Sequence, residues 1–180
     1  MALLSKQAWR LAVNPQGLAH QVLRAKYFPN SDFLSAQIGS NPSFTWHSIF
    51  VAKSTLVQGL RWEVGGDTLI NVVGSPWLPR LATFKLISHS LSLPMLTFVS
   101  RLLNADRSWN LNLVRNEFGS LDTECILQVS TRSAPNPDRM TWHFGKKETF
   151  SVSSAYKFVA ERAEEASSSS TGTCSGAAGN

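Results

Sequence analysis

The sequence predicts a mostly helical α+β fold with two short β-hairpins and a disordered C-terminal tail. Three observations predict it. Apolar residues recur at helical spacing through the first third and again from Leu93 to Val129. The period changes to two around Trp62 and Trp142, and the chain closes on "SSSSTGTCSGAAGN", which is small, polar and repetitive. A length of 180 residues, 43% of them hydrophobic and only 16% charged, suits one globular body with a real core.

Residues 1–62 read as a basic helical segment. Leu4, Ala8 and Leu11 fall on one helix face, with Lys6 and Arg10 on the opposite one. Asn14-Pro15 gives an N-cap followed by a first-turn proline, which predicts a second helix through Leu18, Val22 and Leu23 toward Tyr27. Asn41-Pro42 repeats the signal ahead of Trp46, Ile49, Phe50, Lys53 and Val57, and Gly59 is placed as a C-terminal glycine. Residues 61–80 read as a β-hairpin and a Pro-rich end: "RWEV" and "TLINVV" flank Gly65-Gly66-Asp67, whose glycines are expected to supply positive φ.

Helices return over residues 93–130. Val99, Leu102 and Leu103 form one apolar patch, Leu111, Val114 and Phe118 a second, and Ser120 is expected to cap a short helix whose dipole Asp122 and Glu124 complement. Residues 138–166 read as a hairpin plus a helix. Met140, Trp142 and Phe144 alternate, Gly145 to Glu148 turns, "TFSV" returns, and Ser153 caps a helix to about Ala166. Residues 167–180 form the expected disordered tail.

The net charge of +5 is unevenly placed. Lys6, Arg10, Arg24, Lys26, Lys53 and Arg61 face a single acid, Asp32, up to position 61, and the remainder carries equal numbers of each sign. Such an excess is expected of a surface that meets phosphates, and equally of one that keeps a protein soluble. Lys6 and Arg10 arrive too early for a signal-peptide core, and no apolar run is long enough to span a membrane; the acid-free start also fits an organelle transit peptide. Cys125 and Cys174 are isolated, which points to a reducing compartment, nuclear or cytoplasmic.

Catalytic patterns are wanting. Asp67, Asp106 and Asp138 stand apart in sequence and read as turn, loop and strand-start residues, not as a two-metal carboxylate set. His20, His47, His89, His143, Cys125 and Cys174 lack zinc-ligand spacing. No Gly-x-Ser-x-Gly turn occurs, and Gly145-Lys146 fails as a P-loop because Met140 and Lys147 occupy its defining positions. The expectation is no catalysis, no cofactor, no metal and no small-molecule substrate. What remains is Lys6, Arg10, Arg24 and Lys26 on adjacent helices with Trp9 and Tyr27 between them, a set suited to phosphate tracking with base stacking; the alternative is that the tryptophans Trp9, Trp46 and Trp62 are core anchors.

Five blocks in order, "ALLSKQAWRLAVNP", "VLRAKYFPNSDFLSAQIGSNPSFTWHSI", "GLRWEVGGDTLINVVGSPWLPR", "WNLNLVRNEFGSLDTECIL" and "DRMTWHFGKKETFSVSSAYKF", resemble plant non-LTR (LINE-type) retroelement reverse transcriptases. The resemblance covers roughly residues 2–160. It implies the segment between the polymerase palm and the zinc-binding and RNase H regions, and residues 138–166 resemble the lead-in to that zinc-binding region. The family's Tyr-x-Asp-Asp block has no match in this chain, and Val73-Gly74-Ser75 stands where the family has Trp-x-Asp. The resemblance thus implies a non-catalytic, truncated or decayed piece, placed beside the polymerase thumb where template and nascent strand pass. Weak, sequence-independent RNA or DNA binding is the expected activity. The rival expectations are a degenerate product with no specific activity and a protein-interaction module with an apolar surface patch.

Overall fold

In the computed structural model the described residues are 2–66, 70–80, 83–88, 92–131 and 137–169, with backbone alone for 166–169. They hold six α-helices, α1 (Ala2–Val13), α2 (Leu18–Tyr27), α3 (Phe44–Val57), α4 (Leu111–Glu117), α5 (Ser120–Gln128) and α6 (Val152–Ser169). Two strands, β1 (Leu60–Glu63) and β2 (Arg139–Trp142), complete an α+β architecture that is mostly helical. No helix among these residues is long and apolar enough to cross a membrane. The chain divides into two compact units, one of residues 1–57 with 144–180, the other of residues 58–143.

The first unit is built on helical periodicity. Helix α1 buries Ser5, Ala8 and Leu11 at spacings of three and packs on α3 and α6. Helix α3 buries Trp46, Ile49, Ala52, Lys53 and Leu56. Trp46 is fully enclosed by Tyr27, Phe28, Phe33 and Phe50, with ring centroids 4.8 to 6.2 Å away, and its indole N–H donates to the Ile38 carbonyl at 3.0 Å. Offset and edge-on rings of this kind satisfy the aromatic quadrupoles while excluding water.

Helix boundaries shift from the sequence expectation. Asn14-Pro15 does not start α2; the N-cap is Gly17, three residues later, and Asn14 to Gly17 form a turn closed by a 3.1 Å backbone bond. Ser43, not Asn41, caps α3 by accepting from the Trp46 N–H at 3.3 Å. Ser151, not Ser153, caps α6: its hydroxyl accepts from the Ser154 N–H at 3.1 Å, so the helix begins at Val152. Helix α6 also runs through Ser167 to Ser169, three residues into the expected tail, because Ala and Glu over 160–166 are strong helix formers that propagate the last turns. Residues 170–180, Cys174 among them, lie outside the described residues.

Neither expected hairpin forms, and in the second unit the strands pair differently. Strand β1 pairs antiparallel with β2, with Leu60 opposite Trp142 and Glu63 opposite Arg139. Gly65 and Gly66 make no positive-φ turn. The Gly65 N–H instead donates to Asp138 Oδ1 at 2.7 Å, and the Arg107 guanidinium donates to the Gly65 and Gly66 carbonyls. Asp67 lies outside the described residues. The segment after it pairs elsewhere: the Val72 N–H donates to Thr97 O at 2.8 Å and the Val99 N–H to Ile70 O at 2.9 Å. Around the second expected hairpin, Gly145 to Glu148 tightens into a 3₁₀ turn and Thr149-Phe150 forms no return strand.

Gly59 has a role other than ending a helix. Helix α3 stops at Val57, Gly59 has no positive φ, and a Cβ on it would overlap the Trp142 ring. Val99 to Leu102 is a short 3₁₀ turn, not an α-helix, although Val99 and Leu102 are fully buried as the apolar pattern demanded. They join Val72, Trp77, Val114 and Ile126 in the core of this unit.

Candidate nucleic-acid interface

Each expected cation that lies on α1 or α2 is exposed. Lys6 and Arg10 project from α1 opposite its buried Ser5-Ala8-Leu11 stripe, and Arg24 and Lys26 occupy the last turn of α2. Neither helix carries an acid. Basic residues in a last turn also complement the helix macrodipole, so this placement is favourable for α2 itself.

The two aromatic residues are partly committed to packing. Trp9 is half-buried and stacks on Phe150 at 5.5 Å, which fastens α1 to the segment leading into α6. Tyr27 stacks on Trp46 at 4.8 Å and 3°, and its hydroxyl accepts from the Ser43 N–H at 3.1 Å. The Lys26 ammonium stands 5.1 Å from the Tyr27 ring centroid. Hydrogen bonding with Ser43, helped by Lys26, holds the Tyr27 phenol below its ordinary pKa. Trp46 is a core anchor, as the alternative expectation had it, and Trp62 is half-buried against the core of the second unit.

Lys53 departs most from its sequence reading. Counted there with the surface charge, it is buried, and its ammonium donates to the carbonyls of Leu34 at 3.0 Å and Ala36 at 2.7 Å, with Phe33 O at 3.5 Å. The Phe50 and Phe33 rings flank it, 4.4 and 5.9 Å from the nitrogen. Desolvation lowers its pKa, opposed by the Asp32 carboxylate. Lys53 therefore ties the loop between α2 and α3 to α3 and presents no charge to a phosphate.

The acids of the second unit hold loops. Asp122, read as a dipole partner for its own helix, is 2% exposed; it accepts from the Ile87 and Ser88 backbone N–H groups and the Ser88 hydroxyl, and pairs with Arg80 at 2.8 Å. Glu117 accepts from the Ser92 N–H and hydroxyl. Asp106 caps a turn through the Ser108 N–H and hydroxyl, bonds that hold its carboxyl below the usual range, and Asp138 bonds Gly65 at the strand start. No sequence signal marked Asp122 or Glu117 as a loop tie, because their partners lie 25 to 42 positions away. His20 is buried with Nδ1 2.8 Å from the Leu11 carbonyl, His47 is exposed, His143 packs on Phe84 at 5.0 Å, and His89 lies outside the described residues. Among the described residues no three His, Cys, Asp or Glu side chains come together.

Over 79 residues the chain is 35% identical to a protein of Arabidopsis thaliana described as an uncharacterized mitochondrial protein. The match takes in 44% of this chain and 49% of that protein, so it spans about half the length of its relative. No family model matches the chain, and no solved structure matches it.

Proposed function

We propose that this chain is a non-catalytic segment of a plant non-LTR retroelement reverse transcriptase, from the region after the polymerase palm, and that it binds single-stranded RNA or DNA through phosphates without reading sequence. The observation that carries the binding is the exposure of Lys6, Arg10, Arg24 and Lys26 on two acid-free helices of one unit. The ordered sequence blocks and the similarity to a plant protein support the origin. With no base-edge reader among these residues, the binding carries no sequence information, and counterion release supplies its salt-dependent part.

Anisotropy of a short labelled oligouridylate across about 50 to 200 mM salt tests the reading. Four neutralised phosphates predict a log–log slope of about −3, and changing all four cations to Ala should remove most of it. Binding that ignores salt, or an unchanged variant, would overturn the interface. A protein-interaction module is the second reading, favoured by Met95, Leu96 and Phe98, which lie close in sequence and are 80%, 81% and 44% exposed.

A further inference from the structure

A cleft of about 470 Å³ opens between the Gly145–Thr149 turn and the first turns of α6, within the first unit. Lys146 and Lys157 both line it, and neither ammonium has an ion-pair partner among the described residues. Among the described residues Glu161 is the one acid on its wall, Ser151 and Ser154 add hydroxyls, and Phe144 forms an apolar side, stacked at 4.5 Å on Phe158. Lys147 and Glu148 carry φ of 53° and 57°, so the turn that presents Lys146 is held in a left-handed form that L-residues rarely adopt.

We propose that this cleft takes one nucleotide of a single strand, with the bridging phosphodiester between Lys146 and Lys157 and the base against Phe144. The inference rests on the nucleic-acid reading above. Two lysines and one glutamate leave a single positive charge, which matches a monoanionic phosphodiester, and the Phe144 ring offers a base a face that free phosphate cannot use. Glu161 serves as the acceptor for a sugar hydroxyl, and the volume falls in the range of small-molecule clefts. The cleft also adjoins the basic helix. Phe150, one residue before Ser151, is the ring on which Trp9 of α1 stacks. Gly145-Lys146, which lacks P-loop spacing, thereby gains a phosphate role that needs no P-loop geometry.

The test titrates the nitrogen-15-labelled full chain with the dinucleotide UpU and, separately, with inorganic phosphate. UpU should shift the amides of Lys146, Thr149 and Ser154, and the variant Lys146→Gln/Lys157→Gln should bind it roughly tenfold more weakly at low salt with an unchanged melting temperature. Equal shifts with inorganic phosphate, or a variant that still binds UpU normally, overturn the proposal. Labelled oligouridylate separates the two readings. Oligonucleotide binding without UpU shifts in the cleft overturns the cleft and leaves the interface; UpU shifts in the cleft with oligonucleotide binding unchanged when Lys6, Arg10, Arg24 and Lys26 become Ala support the cleft and sink the interface.

Discussion

The two units hold themselves together by different means. In the first, α1 and α3 present apolar stripes and a ring cluster closes around Trp46, so most of its order follows from local periodicity. In the second, regular elements are short, and long irregular stretches are fixed by side chains bonding distant backbone: Asp122 to 87–88, Glu117 to Ser92, Arg107 to 65–66 and Asn71 to Met95. A polar side chain at low exposure thus does for a loop what a ladder does for a strand. It is also costly to disturb, since each such group loses several bonds at once.

Asp122→Ala carries the largest expected effect. It removes the carboxylate that neutralises the Arg80 guanidinium, which keeps the Leu121 carbonyl and the Cys125 sulfur, and leaves the amides of 87 and 88 without their acceptor, at about 3–5 kcal/mol. Hydrogen exchange should accelerate in α4 and α5 while α1 and α3 stay protected; an equal rise in all four would break the contrast between the units. Lys53→Met, which keeps the stem and removes the donor, should lower stability by about 2 kcal/mol in urea unfolding by orphaning the 34 and 36 carbonyls. A loss within measurement error would mean water replaces the ammonium there. Ser151→Ala removes one cap of α6 and should cost about 1 kcal/mol, visible as fraying of its first turn.

Legibility followed the same division. The apolar stripes of α1 and α3 were readable because their partners lie three or four positions away. Caps were misplaced by two or three residues wherever several Ser, Asn and Pro compete, as at Asn41-Pro42-Ser43 and Ser151 to Ser154. Both strands were legible as strands, but their pairing was not: period two fixes which face is buried and says nothing of which segment lies opposite. Lys53 was unreadable as a buried tie, because a lysine on a mostly apolar helix looks the same in sequence whether its ammonium meets water or three carbonyls. At the candidate interface the exposure of Lys6 and Arg10 was legible from helix phase, whereas α2 leaves Leu18 and Val22 exposed and buries His20, so phase did not place Arg24 and Lys26; nor was the engagement of Trp9 by Phe150 legible, across the length of the chain.

The β1–β2 pairing has a consequence for synthesis. Glu63 meets Arg139 across 76 positions, and at about 5–20 residues per second a ribosome needs roughly 4–15 s to supply that partner. Once β1 leaves the exit tunnel it waits that interval for its partner strand, while α1 and α3 are already complete and able to pack. The nascent chain therefore passes through a window in which its first helices are folded and its sheet is a lone strand available to any other extended chain.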